Sequence, residues 1–155
     1  MAVFIRTAHD GDRITLGALK LRSSLAWGDH IEELQALPEA KEVRAEHMPH
    51  AIIAEVDGEI VGFVTVVFNE SAMQAELEDL FVAPEVWRKG IGRQLLAQAE
   101  RRAAELGARS VHVVAGERAR PLYEASGYWF TGTVATDFAP AAELTKNLPQ
   151  DRSNA

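Results

Sequence analysis

The sequence predicts a mixed α/β fold in a single domain, and three observations lead to that prediction. The chain has 155 residues, of which 47% are hydrophobic and 25% charged, which is typical of one globular domain with its own core. Asp57-Gly58 separates two segments rich in β-branched residues, a strong signal for a β-hairpin. From residue 93 onward, helical and extended patterns alternate, which favours a mixed sheet with a helical crossover. Since no internal repeat or linker divides the chain, we expect one domain over residues 1–148 and a flexible polar tail over residues 149–155.

The first part of the chain is predicted to form one strand and two helices. Residues 3–7 form a short extended run, and the turn at residues 8–12 offers an Asp that can cap a helix. Helical spacing then links four apolar residues, Ile14, Ala18, Leu21 and Leu25. We expect a second helix to begin at Asp29 as its cap and to stop near Pro38.

Three strands and a long helix are predicted next. The segments 51–56 and 60–68 are rich in β-branched residues, and a third extended run covers residues 75–82. Residues 93–106 carry an apolar stripe at helical spacing, and Gly107 stands where such helices end. We expect the chain to cross over through this helix, so that parallel pairing is confined to the strands that it connects.

The last part of the chain completes a prediction of seven strands and four helices. A strand is expected at residues 110–115 and a short helix at residues 117–126. Pro121 is acceptable near the start of that helix, because first-turn amides have no partner within a helix. Two closing strands are expected at residues 129–136 and 142–148.

The charge of the chain is unevenly distributed. The formal net charge is −7, yet residues 45–87 contain nine acidic residues and no Lys or Arg. Residues 88–120 reverse this pattern with eight basic residues against three acidic ones. An acidic protein is unsuited to general nucleic-acid binding, whereas a basic segment suits one small polyanion.

Several classes of protein are excluded or disfavoured by composition. The chain has no cysteine, which excludes disulfide scaffolds, thiolate-bound zinc and a cysteine nucleophile. No apolar run is long enough to span a membrane, and the start of the chain lacks the features of a signal peptide. His47 and His50 flank Pro49 without a further ligand set, so we expect no metal site there. A cytoplasmic location is the expectation.

Residues 87–93, Trp-Arg-Lys-Gly-Ile-Gly-Arg, have the composition of an anion-binding loop. Gly90 and Gly92 allow a sharp turn and a close approach of the backbone to a ligand, and the following helix offers unpaired amides at the positive end of its dipole. The basic side chains of the loop are Arg88, Lys89 and Arg93. The dinucleotide fingerprint needs a third glycine where this chain has Leu95, and the Gly-Lys-Ser/Thr of a nucleoside-triphosphate loop is absent. The pattern therefore indicates a pyrophosphate site of another kind.

Two segments, residues 80–96 and residues 119–128, resemble motifs of the GNAT superfamily of N-acetyltransferases. They read Leu-Phe-Val-Ala-Pro-Glu-Val-Trp-Arg-Lys-Gly-Ile-Gly-Arg-Gln-Leu-Leu and Ala-Arg-Pro-Leu-Tyr-Glu-Ala-Ser-Gly-Tyr. The resemblance implies about seven mostly antiparallel strands, four helices, and fourth and fifth strands that splay apart around acetyl-CoA. It implies acetyl-CoA as co-substrate, an amine acceptor and no metal.

The resemblance also assigns residues to the cofactor. It places Leu80, Phe81 and Val82 beside the pantetheine and thioester. The pyrophosphate loop would comprise Arg88, Lys89, Gly90, Ile91, Gly92 and Arg93. Gly116 stands where relatives often have an Asn that contacts pantetheine, and Trp87 stands where they prefer Gln or Arg.

The expected chemistry is direct transfer of acetyl to an amine within a ternary complex, because no cysteine can form an acyl-enzyme. Tyr123 matches the tyrosine that protonates the departing thiolate in many relatives, and a tyrosine is protonated at neutral pH. Glu76 and Glu78 are two residues apart on a predicted strand and so share one face. Either one is a candidate base for the amine, and we prefer Glu76. We also expect Glu76, Glu78 and Asp79 to attract a cationic acceptor.

Alternatives remain at this point. Tyr123 could be a packing residue, the two glutamates could be solvated strand residues, and His112 could be an interior histidine or line a cleft. Trp27 and Trp87 are expected to be structural or interface aromatics. A non-catalytic acyl-CoA sensor, a different acyl group or a hydroxyl acceptor would fit the same motifs. Nucleic-acid and membrane partners are not expected, and a homodimer is compatible with the family.

Overall fold

The computed structural model of the protein describes residues 1–136 and 139–150. The predicted tail at 149–155 lies, from residue 151 onward, outside the described residues. None of the helices in the described ranges is long and apolar enough to cross a membrane.

The structure contains the predicted seven strands and four α-helices in the predicted order. The strands are β1 (Phe4–Thr7), β2 (Ala51–Val56), β3 (Glu59–Asn69), β4 (Gln74–Val82), β5 (Ser110–Ala115), β6 (Trp129–Val134) and β7 (Ala141–Asn147). The helices are α1 (Arg13–Leu25), α2 (Ile31–Ala36), α3 (Ile91–Leu106) and α4 (Arg120–Ala125). Short 3₁₀ turns occupy Asp10–Asp12, Pro38–Lys41, Ala45–His50 and Pro84–Val86.

The strands form a seven-stranded mixed sheet in the order β1-β2-β3-β4-β5-β7-β6. The pairs β1–β2, β2–β3, β5–β7 and β6–β7 are antiparallel, and β4 pairs with β5 in parallel. The prediction that parallel pairing belongs to the crossover through α3 is confirmed. The parallel pairing runs from Gln74 opposite Ser110 to Leu77 opposite Val113.

The chain divides into two compact units. Unit 1 comprises Met1–Thr65 and Asp79–Leu96, and unit 2 comprises Val66–Glu78 and the described residues from Ala97 onward. The prediction of one domain over residues 1–148 stays a prediction.

Unit 1 contains the predicted hairpin. Asp57 and Gly58 both adopt left-handed backbone conformations, with φ of +51° and +79°, as a two-residue turn matched to the twist of its strands requires. Ile53 of β2 pairs with Phe63 of β3, and both side chains are fully buried. The hairpin therefore supplies part of the apolar core of this unit.

An ion-pair network joins β1, β2 and the start of α1. Arg6 donates to both carboxylate oxygens of Asp12, at 2.9 and 3.0 Å, and also donates to Glu55. These hydrogen bonds hold the pKa of Asp12 down at about 2. Asp12 occupies the cap position of α1 without a side-chain capping bond, because its oxygens bind Arg6 and the His9 amide.

Unit 2 is organised by two antiparallel pairings and the end of α3. Val111 and Leu144 are fully buried on β5 and β7. Gly107 closes α3 with φ of +105°, and the amide of Ala108 reaches back to the Ala103 carbonyl at 2.9 Å. This is the glycine-terminated helix end that the sequence predicts.

Some predicted boundaries are wrong by one to three residues. Helix α3 begins at Ile91 instead of residue 93, and α4 covers Arg120–Ala125 instead of residues 117–126. The cap of α2 is His30, in a left-handed conformation, instead of Asp29. Strand β6 ends at Val134. Backbone hydrogen bonds set these ends, and side-chain patterns specify them weakly.

Candidate active site

One candidate site, in unit 1, is the cofactor loop, which we define as residues 83–90 between β4 and α3. Ala83 anchors its start, because its amide donates to the Val61 carbonyl at 2.7 Å and the residue is fully buried. Arg88 and Gly90 adopt left-handed conformations, with φ of +63° and +83°. Glycine takes this conformation freely, whereas another residue loses about 1–2 kcal/mol. The loop thus turns sharply, and its last residues are exposed.

The amides at the start of α3 form an anion-binding surface. The first hydrogen bond within the helix joins the Gln94 amide to the Gly90 carbonyl at 3.0 Å. The three amides before it, those of Ile91, Gly92 and Arg93, therefore have no acceptor within the helix. They lie at the positive end of a 16-residue helix. The surrounding basic side chains are exposed: Arg88, Lys89 and Arg93.

The end of β4, next to the cofactor loop, is fixed by two side-chain donors on one carbonyl. Ser23 Oγ on α1 donates to the Val82 carbonyl at 2.9 Å. The Trp87 indole Nε1 donates to the same oxygen at 2.7 Å, and its ring stacks on Trp27 with 4.5 Å between centroids. Trp87 stands where the family prefers Gln or Arg, so this departure supplies a packing residue that braces the loop.

Helix α1 makes two further contacts with the same region of unit 1. Lys20 Nζ lies 3.8 Å from a carboxylate oxygen of Asp79, and Arg22 donates to Glu85 at 2.7 Å. The Arg22 guanidinium lowers the pKa of Glu85. About one turn of α1, from Lys20 to Ser23, therefore contacts the strand end and the cofactor loop.

The expected grouping of Asp79 with Glu76 and Glu78 is wrong. Asp79 is only 7% exposed and faces Lys20. Because successive residues of a strand point to opposite faces, Asp79 lies on the other face of β4 from the two glutamates. Its carboxylate serves the packing of unit 1.

The residues expected beside pantetheine alternate between the two faces of β4. The centroid of the Phe81 ring lies 5.7 Å from the centroid of the Phe63 ring and 5.9 Å from Lys20 Nζ. Its side chain is therefore used in packing. Leu80 and Val82 are half-buried on the opposite face. Contact of these residues with a cofactor stays a prediction.

Another candidate site, in unit 2, is the polar cluster, which comprises Glu76, His112 and Glu143. The His112 ring lies between the two carboxylates. Its Nδ1 is 2.6 Å from Glu76 Oε2, and its Nε2 is 3.3 Å from Glu143 Oε1. The side chains are 34%, 19% and 33% exposed for Glu76, His112 and Glu143. The cluster is thus partly buried and open to a ligand.

The cluster lies on the sheet face opposite α3. Lys146 of β7 pairs with Val111 of β5 and bonds Glu100 of α3 at 2.9 Å, so these positions face the helix. His112 is one residue further along β5 and pairs with Thr145, and Glu76 pairs with His112. Strand alternation therefore turns the cluster away from the helix.

Burial raises the pKa of Glu76 above its ordinary value. The hydrogen bond from His112 and its charge act in the opposite direction, and the carboxylates of Glu78 and Glu143 reinforce the rise. A base with a raised pKa is better matched to proton transfer near neutral pH than an ordinary carboxylate. Glu78 is exposed, so of the two predicted glutamates Glu76 has the more distinctive environment.

The sequence singled out Glu76, left His112 undecided and did not identify Glu143. A sequence signal does exist, because polar residues alternate with buried apolar ones along both β5 and β7. Which polar residues meet across strands depends on register, which this alternation does not specify.

Tyr123 lies in α4 and is 4% exposed. Its ring meets Tyr128 edge-on, with 5.5 Å between centroids. The Tyr128 hydroxyl donates to Glu100 at 2.9 Å, and burial together with Glu100 raises the pKa of Tyr128. Tyr128 is therefore a poor proton donor to a ligand. The role of Tyr123 as an acid stays a prediction.

Gly116 precedes α4, and its carbonyl accepts the amides of Ala119 and Arg120, both at 3.1 Å. A Cβ at this position would meet no described atom within 4 Å. The space for the side chain common in relatives is therefore open. Within residues 1–136 and 139–150, no group of three or more His, Cys, Asp or Glu could hold a metal ion.

The sequence matches a model of a known protein family. The model described as the Acetyltransferase (GNAT) family matches residues 19–128, which is more than half of the chain. The chain belongs to the GNAT family of acetyltransferases. The resemblance carried by the two sequence motifs is confirmed.

One curated relative is the uncharacterized N-acetyltransferase YhfO of Bacillus subtilis (strain 168). It is 35% identical over an alignment of 89 positions, and the match covers 53% of this chain and 60% of that protein. The chain therefore matches about three fifths of the length of this relative.

Solved GNAT structures have the same fold. The PaiA N-acetyltransferase from Thermoplasma acidophilum, in complex with coenzyme A, has a TM-score of 0.80 at 21% identity over 95% of this chain and 99% of that chain. The N-acetylglutamate synthase from Neisseria gonorrhoeae, complexed with coenzyme A and N-acetyl-glutamate, has a TM-score of 0.70 at 22% identity over 97% of this chain and 36% of that chain. These likenesses confirm the predicted GNAT fold.

Proposed function

We propose that the protein is an acetyl-CoA-dependent N-acetyltransferase that transfers acetyl directly to an amine of a small molecule, peptide or protein. The observation that carries the proposal is the cofactor loop of unit 1 with the unpaired amides that follow it. Three amides, a helix dipole and three basic side chains match a pyrophosphate. Membership of the GNAT family and the coenzyme A complexes of PaiA and of N-acetylglutamate synthase support this reading.

Within this proposal, the amides of Ile91, Gly92 and Arg93 bind the pyrophosphate, and Arg88 and Lys89 add charge. Leu80, Phe81 and Val82 lie along the pantetheine and thioester. Their strand end is preorganised, since Ser23 and Trp87 both donate to the Val82 carbonyl. A preordered site spends less binding energy on organising itself.

The chemical step needs a base and an acid. The nitrogen of the neutral acceptor amine attacks the thioester carbonyl and gives up one proton to Glu76 as the tetrahedral intermediate forms. The intermediate collapses with cleavage of the C–S bond, and the leaving thiolate takes a proton from Tyr123. The proton gained by Glu76 and the proton lost by Tyr123 are exchanged with solvent afterwards, so the products are an amide and free CoA.

A cationic acceptor is favoured by the charges of unit 2. Glu76, Glu78 and Glu143 supply three carboxylates around the single imidazole of His112. An ammonium group entering such a site is stabilised and gives one proton to Glu76, which passes it to solvent. The resulting neutral amine then attacks and gives up its second proton to Glu76. This version of the acceptor site replaces Asp79 with Glu143.

The proposal is tested by binding and then by turnover. We expect acetyl-CoA to raise the melting temperature of the protein, and free CoA to appear when amines of several classes are added. A double variant, Arg88→Gln with Lys89→Gln, should weaken acetyl-CoA binding about threefold to tenfold at low salt. Arg101→Gln with Arg102→Gln removes the same charge further along α3 and should leave binding unchanged. Absence of stabilisation at millimolar acetyl-CoA would refute the proposal.

Tyr123→Phe distinguishes an enzyme from a sensor that binds acyl-CoA without turnover. We expect the variant to lose turnover and to keep its affinity for acetyl-CoA, because only a hydroxyl is removed. A wild-type protein that binds acetyl-CoA but releases no CoA with any amine would be a sensor. A panel of acyl-CoAs and of alcohols tests the remaining alternatives of acyl length and hydroxyl acceptor.

A cytoplasmic location remains part of the same prediction, and a homodimer is compatible with it. Sedimentation of the purified protein with and without acetyl-CoA tests the oligomeric state.

A further inference from the structure

We propose that His112 and Glu143 are positioning residues that orient the Glu76 carboxylate and leave its Oε1 oxygen for the acceptor amine. The inference rests on the proposed N-acetyltransferase activity and adds two residues to it. Neither residue belongs to the two motifs that carry the family resemblance.

The two carboxylate oxygens of Glu76 have different roles in this proposal. Oε2 lies 2.6 Å from His112 Nδ1, a distance typical of a strong hydrogen bond to a charged group. A carboxylate held through one oxygen loses most of its freedom to rotate, so the other oxygen has a defined direction. A general base must lie within hydrogen-bond reach of the proton that it accepts.

The second nitrogen of the His112 imidazole contacts Glu143. His112 Nε2 lies 3.3 Å from Glu143 Oε1. An imidazolium has two N–H donors, whereas a neutral imidazole has one donor and one acceptor. Carboxylates on both nitrogens therefore match the imidazolium form. In that form the ring donates to Glu76 and is itself held by Glu143.

Strand β6, next to Glu143, leaves space for the Glu143 carboxylate. A Cβ on Gly132 of β6 would lie 2.9 Å from Glu143 Oε2, which is closer than a real contact allows. The absence of a side chain at Gly132 thus makes room for the Glu143 carboxylate. Thr131 Oγ1 also donates to the Glu143 carbonyl at 3.2 Å. The register of β4, β5 and β7 brings the three side chains of the cluster together, and the space at Gly132 accommodates Glu143.

The titratable neighbours of Glu76 in unit 2 are few. Glu78 lies on the same strand, His112 comes from β5 and Glu143 from β7. Residues 66–69 of β3 and residues 129–134 of β6 carry no titratable side chain. Among them, His112 hydrogen-bonds Glu76, which lowers the pKa of Glu76 and counteracts the burial that raises it.

The test compares His112→Gln and Glu143→Gln with Thr145→Val. Thr145 pairs with His112 on the same face but has no titratable group, so it controls for disturbance of the sheet. Glu76 is followed directly by ¹³C NMR of labelled carboxylates, assigned with Glu76→Gln. Turnover is followed as CoA release against pH, with the amine that gives the highest rate in the wild type.

In His112→Gln we expect the titration of Glu76 to move to higher pH, because burial remains and the cationic donor is gone. The acid limb of kcat/KM for the amine should move with it, and kcat should fall about tenfold to a hundredfold. The KM for acetyl-CoA should stay within about twofold. Glu143→Gln should lower kcat by less, about threefold to tenfold, because it acts through the ring.

Gly132→Ala provides a second, milder probe. Its methyl group should displace the Glu143 carboxylate and reproduce the Glu143→Gln phenotype without removing a charge. This variant keeps the inference testable if either polar variant folds poorly.

The outcomes separate this inference from the proposed function. An active wild type whose Glu76 titration and acid limb are unchanged in His112→Gln overturns the positioning role and leaves the enzyme assignment in place. Equal effects in Thr145→Val also overturn it, since disturbance of the sheet would then suffice. A wild type that releases no CoA with any amine overturns the proposed function, and the positioning role with it, even if the NMR titrations are coupled.

Discussion

The cofactor loop of unit 1 and the polar cluster of unit 2 are built in different ways. The loop is a continuous segment whose amides, glycines and basic residues follow one another in the chain. The cluster joins side chains from three strands, and Glu76 and His112 are 36 residues apart. Residues adjacent in the chain can therefore encode an anion site, whereas the proposed base site depends on the pairing register of a sheet. Variants of one region should therefore leave the other unaffected.

The largest expected effect separates chemistry from cofactor binding. Glu76→Gln should lower kcat by about a hundredfold or more, because a positioned general base contributes that much. Acetyl-CoA binding should be unchanged, and Glu78→Gln, at an exposed position of the same strand, should lower kcat far less. Steady-state kinetics and calorimetric titration with acetyl-CoA measure the two effects. A normal kcat in Glu76→Gln would exclude it as the base.

The same variant should show that the buried Glu76 carboxylate lowers the free energy of unfolding at neutral pH. The pKa of Glu76 is raised in the folded protein, so folding binds a proton more tightly there than the unfolded chain does. Stability from this group is therefore greatest below the unfolded pKa and falls as the pH rises through the folded pKa. Glu76→Gln should melt no lower than the wild type at neutral pH, while an unstable variant would speak against this reading.

The next prediction concerns the Arg6–Asp12 ion pair in unit 1, in which both carboxylate oxygens accept hydrogen bonds. The pKa of Asp12 is lowered from 3.8 to about 2 by Arg6, so this carboxylate stabilises the fold above pH 4 and loses that effect as the pH falls towards 2. Asp12→Asn should reduce the free energy of unfolding by about 2 kcal/mol at pH 7 and flatten its dependence on acid. Denaturant titrations at several pH values measure this. Equal losses at pH 7 and pH 2 would contradict it.

A smaller effect tests the local encoding of the cofactor loop. Gly90→Ala forces alanine into a left-handed conformation (φ +83°), and the loop should relax away from its binding shape. We expect the KM for acetyl-CoA to rise about tenfold, with the acid limb set by Glu76 unmoved. Gly58→Ala is the matched control, because Gly58 has φ of +79° and open space around it in the β2–β3 turn. It should lose similar stability without a change in KM.

The smallest effect concerns the brace behind the loop. Ser23→Ala removes one of the two donors to the Val82 carbonyl and should cost about 1 kcal/mol of stability, with a rise of a few-fold in the KM for acetyl-CoA. Ser24→Ala is its control, since that hydroxyl bonds the Lys20 carbonyl within the same helix. Indistinguishable KM values for the two variants would show that the Val82 contact does not shape the cofactor site.

The order of strands and helices could be predicted because most elements carry strong local signals. The hairpin at Asp57-Gly58 and the end of α3 at Gly107 are both specified by residues that accept a left-handed backbone. The start of α4 has no such residue at its cap, Ala119, and lies three residues from its predicted position. The predicted cap at Asp12 shows a different limit, since its carboxylate is taken by Arg6 from β1.

The candidate site divides along the same line. The turn between β4 and α3 could be predicted because its residues are adjacent in the chain, and its role in binding the cofactor stays a prediction. Asp79 was grouped with Glu76 and Glu78 on charge alone, and strand alternation places it on the opposite face next to Lys20. Glu143 could not be identified, because the contact that gives it meaning requires the β5–β7 register. Long-range pairing of this kind leaves no trace in a local pattern.

The stacked indoles of Trp27 and Trp87 give the protein an optical reporter. Two of its three tryptophans lie together beside the cofactor loop. The third, Trp129, pairs with Thr145 in unit 2 and so shares the face of the polar cluster. Emission from the stacked pair should respond when acetyl-CoA enters, and emission from Trp129 when an acceptor does. Replacing Trp129 with Phe would leave a signal for the cofactor alone, so arrival of each substrate can be timed without an added dye.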